Sequence, residues 1–224
     1  MRDPQALLHT ILALHAEVRD DIVAATERRS AESMAAVDRD GAGDTIYAID
    51  TIAESIVDRF AEALARDRTF IMVAEGLPGG RRLYPAGADE GSADCWIVVD
   101  PIDGTRGLMY QKRSGWILTA VAPNRGAGTS LRDVELAVQT EIPLVKQHLS
   151  DQLWALRGSG AQAQRYNRLT GTSTPLRLQP SSATSIAHGY ATIARFFPGA
   201  RDELVFSDAV DRVDCIALRL GRDP

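Results

Sequence analysis

Along the first part of the chain, Leu7, Leu8, Ile11, Leu12, Val18 and Ile22, with His15, fall on one face of a helix predicted over residues 4–29. Pro4 suits its first turn. Residues 30–43 are small and polar and predict a loop. Asp44 or Thr45 then caps a second helix that presents Ile46, Ile49, Ala53, Ile56, Phe60 and Leu64 on one side. After it the period changes. The apolar run 69–74 ends at Glu75-Gly76 and predicts a buried strand, followed by a Gly- and Pro-containing connection over 77–94. Residues 96–99 (Trp-Ile-Val-Val) predict a second buried strand. Residues 116–122, 134–140 and 152–156 predict three more, the last closed by Gly158-Ser159-Gly160. A strand over 185–192 and a weak helix over 200–213 complete the reading. No internal repeat or low-complexity tract interrupts it. Two leading helices followed by a run of strands predict a layered α/β or α+β sandwich. The expected division is an N-terminal lobe over 1–130 and the start of a second lobe over 131–224.

Composition narrows the functions rather than the fold. The 224 residues suffice for a sizeable core. Net charge is −5 and the basic residues are scattered, so no stripe for a nucleic-acid backbone is present, while a small phosphorylated metabolite remains compatible. Cys95 and Cys215 lie far apart; they read as two reduced, packed thiols, with a disulfide as the alternative. Met1-Arg2-Asp3-Pro4 has no apolar run behind it, unlike a signal peptide, and no window is long and apolar enough for a bilayer. A soluble, cytoplasmic protein with no membrane partner is expected.

The chemistry concentrates at Asp100-Pro101-Ile102-Asp103-Gly104-Thr105. Pro101 and Gly104 are expected to turn the chain so that Asp100, Asp103 and the Ile102 carbonyl face one side. Three oxygen donors in six residues suit a hard cation such as magnesium. The backbone N–H groups of Gly104 and Thr105 would then be offered to a phosphate. The bland alternative is a tight Asp/Pro/Gly turn, but the whole string after a buried strand is more specific than any such turn. His9, His15, His148 and His188 have no ligand spacing and read as surface or packing residues. Trp96, Trp116 and Trp154 read as core.

Val98-Val99-Asp100-Pro101-Ile102-Asp103-Gly104-Thr105 resembles the signature of the inositol monophosphatase family. That family sits in the lithium-sensitive, metal-dependent phosphatase superfamily, which includes the fructose-1,6-bisphosphatases. Residues 44–54 resemble the family's D-x-x-T-x-x-D-x-x-x-E helix, with Tyr47 or Ala48 where Thr is common. Residues 70–76 resemble its strand ending in Gly-Glu-Glu, reduced here to Glu75. Residues 137–141 and 153–161 resemble its paired strands and Gly-x-Gly turn, so the similarity covers about 5–195.

The resemblance implies an αβαβα architecture, a homodimer, Mg²⁺ as cofactor, and hydrolysis of a small phosphate monoester by metal-activated water. It assigns Glu75, Asp100 and the Ile102 carbonyl to a first magnesium, and Asp100 and Asp103 to a second. Thr105 paired with Asp50 would activate the water, and the N–H groups of Gly104 and Thr105 would hold phosphate oxygens. Each assignment has a plainer alternative. Asp50, Glu54 and Asp58 stand four apart, as on a solvated helix face; Glu75 suits a strand-end turn, and Asp44 a helix cap. Arg106 fits a phosphate contact and a surface position equally.

One departure matters. The family's Trp-Asp-x-Ala-Ala-Gly-like motif, which carries a further metal-binding Asp, is not found before Pro224. The expectation is therefore an incomplete second lobe, with a non-catalytic phosphate or metal binder as the alternative function. A haloacid-dehalogenase-like reading fails, because its Asp-x-Asp spacing would need an acid at Pro101.

Overall fold

A computed structural model describes residues 1–28, 33, 36–40 and 45–182. The spacing at the start of the chain produces helix α1 (Pro4–Arg28), with Leu7, Leu8, Ile11, Leu14, Val18 and Ile22 buried along one stripe. The Asp3 carboxylate accepts the Ala6 N–H at 3.0 Å, so an acid caps the helix that Pro4 begins. Part of the expected loop is instead strand β1 (Val37–Asp40), paired antiparallel with β2 (Thr45–Tyr47). Helix α2 (Ala48–Leu64) consequently starts after the predicted caps, with Tyr47 at its N-cap. The β-branched pair Thr45-Ile46 prefers extended backbone once a partner strand is available. Asp44 lies outside the described residues, as do the strand and helix expected over 185–192 and 200–213, and Cys215.

Eight strands follow. These are β3 (Phe70–Ala74), β4 (Arg81–Tyr84), β5 (Cys95–Asp103), β6 (Gly115–Pro123), β7 (Leu136–Ile142), β8 (Leu149–Leu156), β9 (Gly160–Asn167) and β10 (Thr172–Pro175). They form one sheet in the order β10-β9-β8-β7-β6-β5-β3-β4, antiparallel throughout except for the parallel pair β3/β5. Helix α3 (Thr105–Met109) is a single short turn between β5 and β6. The architecture is mixed α+β, in line with the layered sandwich expected. Strands β4, β9 and β10 were not legible as strands because they lie toward the sheet edges and carry polar or exposed residues, which removes the alternating apolar signal.

Helices α1 and α2 cover one face of the sheet. Toward them point Cys95, Ile97 and Val99 of β5, Ile117 and Val121 of β6, and Leu136 and Val138 of β7, all buried. His15 reaches into this layer from α1. Its Nδ1 lies 3.0 Å from Thr140 Oγ1 and its Nε2 2.8 Å from Thr119 Oγ1, and burial pushes its pKa down to about 3. The Cys95 thiol is free and buried, and burial pushes its pKa up to about 11. The tryptophans correct the core reading, since all three are only half-buried. Trp96 keeps its ring N–H on Asn124 Oδ1 at 2.9 Å, and Trp154 packs beside the core.

Residue 130 falls in the connection between β6 and β7, which are neighbours in the sheet. The chain divides into two units, Met1–Leu178 and Gln179–Pro224. Among the described residues no helix is long and apolar enough to cross a membrane.

Candidate active site

The parallel pairing of β3 and β5 runs in register to Ala74↔Val99, so Glu75 and Asp100 follow at the same ends of adjacent strands. Rather than turning away at Pro101, β5 continues through the motif to Asp103. Its pairing with β6 shifts there: Asp100 opposes Leu118 and Asp103 opposes Trp116, so three steps along β5 match two along β6. The extra residue is a bulge, which bends the strand and re-aims its side chains. Within it the Ile102 N–H donates to Asp100 Oδ1 at 3.1 Å. Gly104 follows at φ +87°, a left-handed conformation that any side chain would strain, and starts α3.

Thr105, the first residue of α3, lies at the centre of the arrangement. Its hydroxyl is 2.9 Å from Asp50 Oδ1 and 2.9 Å from the Ile102 carbonyl oxygen, one proton shared between two acceptors. The other Asp50 oxygen, Oδ2, accepts the Tyr47 N–H at 2.9 Å at the start of α2. Asp50 therefore ties the first turn of α2 to the first turn of α3. The structure thus brings together Asp50, Thr105, the Ile102 carbonyl and the Asp100 carboxylate, residues separated by up to 55 positions in sequence.

The remaining acids stand around this centre. Asp100 is half-buried on the sheet face away from the helices, near Val98, Leu118 and Gln139. Asp103 is exposed. Glu75, also exposed, shares a small cavity of about 220 Å³ with Glu54, Asp58, Arg82 and Pro101. Arg82 Nη1 lies 3.8 Å from Asp58 Oδ1 at its rim. Among the described residues, no three His, Cys, Asp or Glu side chains converge as a preformed cage. The donors at the motif are nonetheless all oxygen, carboxylate and carbonyl, as a hard divalent cation requires.

Two arginines belong to the same neighbourhood. Arg106, for which the sequence left two readings open, is exposed and donates from Nε to Tyr47 Oη at 3.0 Å. Arg113 carries no motif signal; the clue in the sequence is Gly107, a glycine inside a helix beside a charged loop. Its side chain runs along α3 to Gly104.

No protein-family model matches this sequence, and no curated protein matches it either. Its structure is similar to that of Leishmania major fructose-1,6-bisphosphatase in holo form, with TM-score 0.60 and 12% identity over 82% of this chain and 57% of that one. It is also similar to the extragenic suppressor protein SuhB of Bartonella henselae, with TM-score 0.51 and 16% identity over 70% of this chain and 51% of that one. The chain therefore spans about half the length of the solved proteins that it matches. At these identities the shared property is the fold.

Proposed function

We propose that the chain is a magnesium-dependent phosphomonoesterase, of the kind found in the inositol monophosphatase family, acting on a small phosphorylated metabolite. The observation that carries this reading is the 2.9 Å hydrogen bond from Thr105 to Asp50 within the first turn after the Asp-Pro-Ile-Asp-Gly string. A threonine hydroxyl that donates to a carboxylate leaves its own lone pairs to accept a proton from water. Thr105 would orient the attacking water, and Asp50 would take the proton passed through the hydroxyl. The fold shared with a fructose-1,6-bisphosphatase supports the class of reaction.

Glu75, Asp100, Asp103 and the Ile102 carbonyl would hold the cation. Bound there, magnesium would neutralise phosphate charge and acidify the attacking water. The Ile102 N–H restrains Asp100 at 3.1 Å, which limits where its second oxygen can point. The N–H groups of Gly104 and Thr105 would take phosphate oxygens. In-line displacement by water then needs no covalent attachment to the protein.

The test is phosphate release from a panel of esters (inositol, sugar and histidinol phosphates and a 3′-phosphonucleotide), with magnesium or EDTA, for the wild type and Asp103→Asn. Release should require magnesium, and the variant should need about ten-fold more of it or worse, the scale seen when metal sites are perturbed. Hydrolysis indifferent to EDTA, or an unchanged variant, would sink the mechanism. Magnesium and phosphate binding with no turnover on any ester would instead identify a non-catalytic binder.

A further inference from the structure

At the end of the sheet where the motif lies, three connections join neighbouring strands. They are residues 104–114 between β5 and β6, 143–148 between β7 and β8, and 168–171 between β9 and β10. Hydrogen bonds tie them in series. Val145 donates its N–H to Gln111 Oε1 at 2.8 Å. Arg168 donates its N–H to the His148 carbonyl and its Nη1 to the Gln147 carbonyl, each at 2.8 Å. Gln111 sits at φ +54°, a left-handed backbone that a residue with a side chain rarely adopts. Its amide is engaged at both ends, since Nε2 donates to the Leu108 carbonyl at 2.9 Å. The three connections therefore form one fixed rim. Connections two strands apart lie about 10 Å from each other, so the rim is about 20 Å long.

Each connection puts one apolar side chain into solvent: Tyr110 is 57% exposed, Val145 39% and Leu169 80%. None of the three contains Asp or Glu, although the chain has 30 such acids. The only two lysines of the chain, Lys112 and Lys146, both stand here and both are exposed. Lys112 follows Gln111 and Lys146 follows Val145, so they flank the hydrogen bond between their loops. Elsewhere the chain uses arginine, often locked on an acid of its own, as Arg165 is on Asp151 at 2.6 Å. Two acids at the margin of the rim are already engaged. Glu141 accepts Gln147 Nε2 at 2.8 Å and the Asp151 N–H at 3.2 Å, and Glu27 pairs with Arg168. In a chain of net charge −5, this is a place where positive charge and exposed apolar groups coincide.

We propose that this rim docks on an anionic lipid bilayer, with Tyr110, Val145 and Leu169 entering the head-group layer and Lys112 and Lys146 meeting the lipid phosphates and carboxylates. An aromatic ring with a polar tip suits head-group depth, and a long lysine stem keeps the ammonium at the polar level while its loop descends. Binding at a surface needs no long apolar run. The proposal thus departs from the expectation of no membrane partner, which rested on the lack of such a run. It stands whether or not the chain hydrolyses esters.

The test is co-sedimentation of the full chain with vesicles of phosphatidylcholine alone and of an equal mixture with phosphatidylserine. The wild type should bind the mixed vesicles at low salt, ignore phosphatidylcholine alone, and come off as salt is raised. Each lysine near an anionic leaflet contributes about five-fold in partition, so joint Lys112→Gln and Lys146→Gln should weaken binding by about 25-fold. Joint Lys112→Arg and Lys146→Arg keeps the charge and should bind like the wild type. Joint Tyr110→Ser and Leu169→Ser should cost about ten-fold or more on the same vesicles. Circular dichroism checks that each variant folds, and the arginine pair serves as the folded control. Wild-type binding to the mixed vesicles that either the glutamine or the serine pair leaves unchanged would overturn the proposal. So would no binding to them at all, and binding to polyglutamate instead would assign the rim to an acidic protein.

Discussion

Asp50 spends one carboxylate oxygen on the Thr105 hydroxyl and the other on the Tyr47 N–H, so the same side chain sets a helix start and carries the proposed base. The two roles separate under substitution. Asp50→Asn keeps one acceptor oxygen in place of two and loses the basicity, so it gives up one of these two hydrogen bonds along with the base, and should lower kcat by about a hundred-fold or more, the range for a lost general base. Thr105→Ala should do the same, whereas Thr105→Ser keeps a hydroxyl and should retain most of the rate; steady-state kinetics with melting curves would separate these outcomes. His15 supplies a prediction of another kind. Its pKa is held at about 3, against an ordinary 6.5, so between these values the unfolded chain binds the extra proton. Stability should therefore fall as pH drops below 6.5 toward 3, by at most about 1.4 kcal/mol per pH unit from this group, and should not depend on it above that range. Urea midpoints from pH 4 to 8 test this. His15→Leu, which leaves Thr119 and Thr140 without their ring partner, should be less stable at neutral pH and show a shallower acid limb.

The elements show what patterning can and cannot reveal. Helix α1 and the buried stretch of β5 were legible because each buries one regular face, the first with helical period and the second as a continuous apolar run. The β1/β2 pair displaced the start of α2 because strand pairing across a loop is a tertiary event that local caps do not encode. At the motif, the sequence showed the acids and the turn residues, but the bulge between Asp100 and Asp103 depends on the register of β6. Helix α3 carries its own test. Gly104→Ala would force a side chain into φ +87° and against Arg113, costing about 1–2 kcal/mol from backbone handedness alone. Gly107→Ala would ordinarily stabilise a helix by about 1 kcal/mol, but its Cβ would meet Arg113 Cγ at 2.6 Å. The expected result is little or no gain in melting temperature; a full gain would show that Arg113 yields its place freely.

At the scale of the whole molecule, one sheet fixes the spatial relation between the two helices on one side and the motif at the end of β5. The parallel contact of β3 with β5 brings Glu75 and Asp100 to the same ends of adjacent strands, and a hydrogen bond from Thr105 to Asp50 ties α3 to α2. The motif alone pointed to the chemistry, whereas Arg113 and the Arg106–Tyr47 tether emerged only once distant segments were folded together. Half of the length of the similar solved proteins is spanned here, and the centre around Thr105 lies entirely within the unit Met1–Leu178. The most direct measurement is phosphate release by the wild-type chain as free magnesium is raised from zero in EDTA buffer, with each ester of the panel above. The account predicts release that saturates with magnesium and collapses to background when EDTA is in excess. Release at the same rate with and without magnesium would contradict it.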